Sequence, residues 1–472
     1  MEQKQVIVYQ GDLFYNESTR KTIPPSEDCE TVSGAEAGKG RQAIRAGEQE
    51  RALISQLMAV VCSPDNLSRA YKQVKQIKGA AGIDGMVTGE FAQWYKREGE
   101  KLIALLLTGV YEPAAVRSVE ITKAGGGKRK LGIPTVTDRI IQQAIAQVLE
   151  RIYDHTFSES SYGFRPKRGA HQGLKVASQH VQGGRRVVVD IDLKNFFDVV
   201  NHDRLMSRLS ARIGDKTLLK LIRKYLQSGI MEDGIVSQRL EGTPQGSPLS
   251  PILSNIVLDE LDKELEARGH KFVRYADDCN IYVRSQEAGV RVMEHTGNFI
   301  ETKLKLRINR EKSKVCLSNQ TKFLGYTISH EGNLLIAEQS LKRLKIKIRT
   351  ITKRNRGRSM ERVVEEVNAL LRGWQQYFKL AKAGSHFKSL DGWIRRKLRC
   401  YKLKQFKRVI TLVRFLRSRG VKEFNCWITA CSGKGLWRMS MAHSIHEAMN
   451  NEWFDFIGLY SLKTNEARFK SL

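Results

Sequence analysis

Long uncharged apolar runs are missing from this sequence: no stretch of about 18 such residues occurs, which argues against a membrane-crossing helix. Cysteine is sparse as well. The 7 cysteines among 472 residues run from Cys29 to Cys431 without a Cys-x-x-Cys pair, an odd, scattered set that fits reduced thiols better than a disulfide framework. Met1 to Gln10 carry neither the basic region nor the apolar stretch of a secretory signal, so an intracellular protein is expected. No internal repeat is visible. Acidic charge is in deficit, with 50 Asp and Glu against 80 Lys and Arg, a net +30. At 41% hydrophobic residues the chain can still bury sizeable cores, so it is not a disordered basic tail. Such a surplus points to a polyanionic partner, nucleic acid before an acidic membrane surface.

The surplus is concentrated. Residues 1–50 hold 6 basic and 9 acidic side chains and read as a polar, disordered extension. Between Leu341 and Gly420 stand 25 basic against 4 acidic side chains, a surplus of 21 in 80 residues. That stretch has helical periodicity, with Leu341, Leu344, Ile348 and Ile351 on one face and Val363, Val367, Leu370, Leu371 and Trp374 on another. Three helices are expected, over Leu341–Lys353, Met360–Leu380 and Phe387–Arg419. Before it, helical patterns at Asp138–Tyr153, His171–His180, His202–Ile213 and Pro251–Arg268 interleave with strand-like runs at Arg185–Asp192, Phe272–Ala276, Asn280–Arg284 and Phe323–Ile328. Strands mixed with helices predict an α+β or α/β catalytic core.

Two acidic segments carry the chemistry. In Phe272–Val283, apolar strand runs flank Asp277-Asp278, placing the acids at a hairpin tip. In Val187–Asp198, Asp190 and Asp192 end a strand of β-branched residues. Carboxylates gathered at strand ends repel one another unless cations join them. Mg²⁺ suits the role because it prefers carboxylate oxygens and substrate phosphates, and two such ions about 4 Å apart would assist phosphoryl transfer. Asp190 and Asp192 share a strand face, so spacing alone does not choose between them.

Tyr275-Ala276-Asp277-Asp278 resembles the palm motif of reverse transcriptases, and the order of further blocks resembles group II intron reverse transcriptase/maturases, in particular the bacterial group IIC type without an endonuclease domain. The blocks are Val116–Pro134, Ser161-Tyr162-Gly163-Phe164-Arg165-Pro166, Glu241–Pro251 with Thr243-Pro244-Gln245-Gly246, Ile308–Ser313 and Phe323-Leu324-Gly325-Tyr326. The resemblance implies a right-hand polymerase: fingers and palm over 51–335, an all-α thumb or maturase domain over 336–425, and a short, DNA-contacting tail over 426–472.

It further implies roles for residues. The family places an aromatic five positions after the metal ligand, which Asp192 with Phe197 satisfies, so Asp192, Asp277 and Asp278 are the expected catalytic ligands of two Mg²⁺ ions and Asp190 a supporting residue. Phe197 would block a ribose 2′-hydroxyl, Gln245 and Gly246 would line the nascent base pair, and Lys123 and Arg129, flanking a glycine turn, would meet the incoming triphosphate. Lys312 resembles a lysine that protonates pyrophosphate, although a solvated surface lysine reads equally well. Phe323, Leu324, Gly325 and Tyr326 resemble a primer grip, and Arg165, Arg395, Arg396 and Lys397 are expected RNA contacts.

The expected partners are group II intron RNA, an RNA template with a DNA primer, dNTPs and target DNA, with no membrane. The expected location is the bacterial cytoplasm, on RNA and nucleoid DNA. Oligomeric state stays open. Rival readings are a domesticated reverse transcriptase in host repair or defence, an RNA-binding splicing factor with a vestigial polymerase, and an RNA polymerase. The intact acids speak against the second, and Phe197 against the third.

Overall fold

The computed structural model describes residues 56–122, 128–232, 235–237, 242 and 246–470, in two compact units that divide between Leu317 and Ser318. The extension 1–50, Lys123 and Gln245 lie outside the described residues, and Arg129 is described by its backbone alone.

In the first unit, helices α1 (Leu57–Cys62), α2 (Pro64–Ile77) and α3 (Phe91–Leu107) precede strands β1 (Val116–Thr122) and β2 (Lys128–Ile133). There follow α4 (Val136–Tyr153), α5 (Ala170–Gln182), β3 (Val187–Ile191), α6 (His202–Ser210), α7 (Lys216–Gln227), β4 (Ile230–Glu232) and β5 (Ile235–Ser237). The unit closes with α8 (Ser250–Ala267), β6 (Lys271–Tyr275), β7 (Asp278–Val283), α9 (Gln286–Thr302) and β8 (Lys314–Leu317). One sheet has the order β2-β1-β4-β5 and another the order β6-β7-β3-β8, the latter antiparallel throughout.

The expected helices and strands recur with ends shifted by a few residues. Thr135 caps α4, accepting from the Asp138 amide at 3.1 Å. The Asp138 carboxylate, buried at the start of that helix, accepts from Thr135, Tyr111, Tyr225 and the Ala114 amide, and so ties three segments together. Burial pushes this carboxyl above the usual range. Val187, Val188, Val189 and Ile191 of β3 are all buried, which explains an apolar run without alternation. Helix α9 lies close on the sheet because Gly289 has no side chain: a Cβ there would stand 2.4 Å from Val315 Cγ1.

The second unit begins with the hairpin β9 (Tyr326–Ile328) and β10 (Leu334–Ile336). Helices α10 (Glu338–Ile351), α11 (Met360–Tyr377), α12 (Gly384–Gln405) and α13 (Val409–Ser418) follow. The remaining helices are α14 (Glu423–Ala430), α15 (Leu436–Met439), α16 (His443–Ala448), α17 (Asn451–Phe456) and α18 (Leu462–Lys470). The hairpin belongs with these helices: the Lys382 amide donates to Leu334 O at 2.9 Å and the Tyr377 hydroxyl to Leu324 O at 2.7 Å.

Two expectations differ from what is observed here. The helix expected over Phe387–Arg419 is broken between Gln405 and Val409, and the break lets the Phe406 ring fold back onto Phe415, with centroids 5.0 Å apart. The strand expected over Phe323–Ile328 starts only at Tyr326, because Leu324 and Gly325 take φ of 51° and 80° and make a two-residue turn. The chain from 426 onward folds back on the helices before it. Asp391 of α12 accepts from the amides of Leu462 and Lys463, and Asn368 of α11 donates to Gly458 O at 2.7 Å. Among the described residues, no helix is long and apolar enough to cross a membrane.

Candidate active site

The acidic segments meet through backbone register. β6 and β7 form the hairpin whose last pair is Tyr275 with Asp278, leaving Ala276 and Asp277 in the turn. β3 pairs beside β7 up to Ile191 with Cys279, and continuing that register by one residue puts Asp192 opposite Asp278. The three expected ligands therefore share one end of one sheet. Asp190 sits two residues back on the same face of β3, between Asn280 and Lys314 on the flanking strands. With its amide turned to satisfy both its atoms, Asn280 donates to Asp190 Oδ1 at 3.0 Å.

Asp192 is held from the segment after α9. Asn309 donates to its Oδ2 at 2.9 Å, Lys312 Nζ stands 3.7 Å from the same oxygen, and the Asp192 amide donates to Ser313 Oγ at 3.0 Å. The Lys312 ammonium is 71% exposed and thus free to move toward a ligand. Among the described residues, no three His, Cys, Asp or Glu side chains stand grouped as ready-made ligands of one ion. The donor chemistry nevertheless suits a hard cation: the acids offer carboxylate oxygens, and burial, reinforced by Asp262, holds the neighbouring Cys279 thiol well above its usual range, so it does not compete as a thiolate.

The hairpin turn is clamped from behind by groups that sequence reasoning missed. Ala276 has a φ of 56°, a left-handed conformation that a non-glycine residue adopts only when its surroundings hold it. Arg274, fully buried, donates through Nη1 to Ala276 O and to Asn255 Oδ1, each at 2.9 Å. Its Nε donates to Asp262 Oδ1 at 2.7 Å and its Nη2 to Asp262 Oδ2 at 2.5 Å, a bidentate pair with both partners at 0% exposure. Burial works against the Arg274 charge, but Asp262 outweighs it and holds the guanidinium above its usual range. Asn255 and Asp262 stand seven apart on α8, so a helical wheel sets both on one otherwise apolar face. Two polar residues on an apolar stripe were the available signal.

Ser160 to Gly163 run along β6 as an added edge. The Arg274 amide donates to Ser160 O and the Tyr162 amide to Arg274 O, each at 2.9 Å, which pairs an otherwise open strand edge. Gly163 then passes directly beneath the turn: a Cβ there would lie 2.2 Å from the Ala276 nitrogen. Gly163→Ala should accordingly displace the acidic turn. We expect a loss of about 10- to 100-fold in primer extension, from an overpacking strain of about 1–3 kcal/mol, with the far-UV circular dichroism unchanged. Full activity would show that the turn's position does not matter.

Phe197 lies in a short 3₁₀ turn after Asn195, whose φ of 50° swings the chain out of β3. The neighbouring Phe196 is buried, and Phe197 is half-buried against it, with centroids 5.2 Å apart. Gly242 abuts this turn: a Cβ would come within 2.7 Å of the carbonyl oxygens of Phe197 and Asp198, and Gly242 has a φ of 86°. His202 Nε2 lies 2.6 Å from Gly242 O. Gly242 thus lies beside Phe197, and Gly246 is exposed.

Other expected contacts have other surroundings. Arg165 is buried and its guanidinium is engaged by Asp154, Ser158 O and Ser161 O, so it holds the Ser158–Arg165 loop. In the second unit, the Phe323–Tyr326 turn is fixed by Ser340 Oγ donating to Gly325 O at 2.9 Å and by Tyr326 donating to Tyr377 O. Arg395, Arg396 and Lys397 are half-buried on α12, with the Arg396 guanidinium 3.8 Å from the Trp437 ring centre.

Known proteins resemble this chain in both of its units. The family model described as reverse transcriptase (RNA-dependent DNA polymerase) matches residues 121–328, and the one described as group II intron, maturase-specific domain matches 341–420. Protein YkfC of Escherichia coli is 32% identical over 302 residues, which are 56% of this chain and 79% of that protein. The group II intron-encoded protein LtrA of Lactococcus lactis subsp. cremoris is 31% identical over 342 residues, 58% of this chain and 57% of LtrA. A putative COX1/OXI3 intron 1 protein of Saccharomyces cerevisiae is 28% identical, over 59% of this chain and 40% of its own length. The chain thus spans most of YkfC but only about half of the longer intron proteins. With a reverse transcriptase domain followed by a maturase-specific domain, the chain belongs to the family of group II intron-encoded reverse transcriptases.

Proposed function

We propose that the protein copies RNA into DNA and binds group II intron RNA to assist splicing and retrotransposition. The observation that carries the polymerase reading is the register that sets Asp192 opposite Asp278 beside a turn holding Asp277. In the reaction, the primer 3′-hydroxyl loses its proton to solvent water and its oxygen bonds to the α-phosphorus of a dNTP as the bond to pyrophosphate breaks. Asp192, Asp277 and Asp278 are the residues that would hold two Mg²⁺ ions, which when bound supply positive charge to the attacking and leaving oxygens. Asn309 and Ser313 orient Asp192. Lys312, 3.7 Å from Asp192, is the proton donor for departing pyrophosphate. Lys123 and Arg129 meet the triphosphate, Gln245 and Gly246 the nascent base pair, and the Phe323–Tyr326 turn the primer end.

Phe197 selects the sugar by occupying the space of a ribose 2′-hydroxyl. The basic helices of the second unit supply the RNA contacts, with splicing chemistry left to the RNA itself. Target DNA as a further partner, and a location on RNA and nucleoid DNA, follow from the same reading. The test is extension of a DNA primer on an RNA template with Mg²⁺. Wild type should use dNTPs well above NTPs, and Phe197→Ala should cut the dNTP/NTP ratio of kcat/KM by about 10- to 100-fold. No extension by wild type would end the polymerase reading, and an unchanged ratio would end the gate assignment.

A further inference from the structure

The second unit holds a cavity of about 180 Å³ lined by Thr352 and Arg354 at the end of α10, Lys397 and Cys400 on α12, and Trp437 on α15. Its setting is strongly cationic. Lys397 Nζ lies 4.8 Å from the Trp437 ring centre and 5.8 Å from that of Trp393, Arg349 approaches Trp393 to 5.6 Å, and Arg396 covers Trp437 at 3.8 Å. Burial lowers Lys397 below the usual lysine range against the opposing pull of the Cys400 thiol, and Arg349, Arg354 and Arg396 add to the lowering. Among the described residues, none of these four cations pairs with an acid. Like charges gathered beside indole rings without an acid are a site that awaits an anion.

We propose that this cavity takes one unpaired nucleotide of a bound RNA, its phosphate on Arg354 and Lys397 and its base against the 39% exposed Trp437. The volume is below the ~300 Å³ at which pockets enclose whole small molecules, so it would take only part of a ligand whose remainder lies outside it, as one nucleotide of a longer chain would. A ring system with cations around it suits a base and its phosphate, whereas a carboxylate-bearing peptide would leave unused the exposed part of Trp437 that Arg396 does not cover. Thr352, Arg354, Lys397 and Cys400 lie inside the maturase-specific match and Trp437 outside it, so the site joins that domain to the chain beyond it. The inference rests on the reading that the second unit binds RNA.

The test compares fluorescently labelled oligouridylate with a blunt RNA duplex of equal length, titrated against wild type, Trp437→Ala, Trp437→Phe and Lys397→Gln. Trp437→Ala should weaken oligouridylate binding about 5- to 150-fold, the range for losing one stacked base, and weaken the duplex much less. Trp437→Phe should recover much of the loss, and Lys397→Gln should reduce the salt slope by about one unit on oligouridylate. Equal losses on both RNAs, or no loss, would overturn the pocket while leaving general RNA binding intact. Uridine monophosphate that competes as well as oligouridylate would also overturn it, since the site would then serve free nucleotides. Wild type that binds neither RNA would instead remove the underlying reading of the second unit.

Discussion

Asp277→Asn should abolish primer extension, lowering kcat by at least about a thousandfold, equivalent to about 4 kcal/mol of transition-state stabilisation. The side chain keeps its size and its place in the turn after Tyr275, so folding and RNA binding should stay as in wild type. Asp192→Asn should do the same. Asp190→Asn is the informative partner: its carboxylate accepts from Asn280 one step behind the sheet end, and its loss should cost no more than about tenfold, by weakening one hydrogen bond. The measurement is single-turnover extension at saturating dNTP and Mg²⁺. If Asp190→Asn were the dead variant and Asp192→Asn the active one, the ligand assignment on β3 would be reversed. Wild-type activity in Asp277→Asn would remove the turn from the chemistry altogether.

Arg274→Met should be as damaging for another reason. It leaves the Asp262 carboxylate at 0% exposure without its guanidinium, and breaking such a pair costs about 3–5 kcal/mol of stability. It also removes the donor to Ala276 O, which holds a left-handed residue next to Asp277 and Asp278. The double variant Arg274→Met with Asp262→Leu separates the two effects. Replacing a buried ion pair by apolar side chains is often neutral for stability, so urea denaturation should return toward wild type. Extension should not return: kcat is expected to stay at least about tenfold low, with KM for dNTP little changed, because no group replaces the donor to the turn. Full recovery of kcat in the double variant would show that Arg274 is structural and does not position the acids.

The legible and the hidden parts of this protein divide along a physical line. The acidic hairpin could be read because apolar runs on both sides of Asp277-Asp278 form strands by local preference, and the observed β6 and β7 flank the turn that holds Asp277 and ends at Asp278. The basic helices were equally local, since a period of 3.6 and a surplus of charge need no partner to be seen. Long helices can nonetheless be interrupted by a contact made at a distance. Phe387–Arg419 keeps helical spacing throughout, yet the helix breaks after Gln405, where Phe406 packs on Phe415 across the break.

Arg165 shows the limit from the other side. In sequence it is a cation in a loop beside other cations, and only the closing of that loop on Asp154 and two carbonyls takes it out of solvent. Arg274 stood in the best-read segment and still passed as an ordinary strand residue, because its partners Asn255 and Asp262 come from α8, 19 and 12 residues away. Gly163 belonged to a recognised block, but its closeness to the Ala276 nitrogen arises only when residues more than a hundred apart in sequence are folded together.

By itself the sequence determined the family, the order of its reverse transcriptase and maturase-specific segments, the acidic runs at its strand ends and the place where its positive charge collects. All of these depend on residue type and short-range spacing. The tertiary structure alone decided that Asp192, one residue past the last β3–β7 pair, meets the acidic turn at one sheet end, that an Arg274–Asp262 pair and Gly163 hold that turn, and that Arg349, Arg396 and Lys397, none paired with an acid among the described residues, lie over Trp393 and Trp437. These are contacts between distant segments. Their strength comes from excluding water around groups that are harmless when exposed, and burial of that kind is a property of the folded chain, not of any stretch of it.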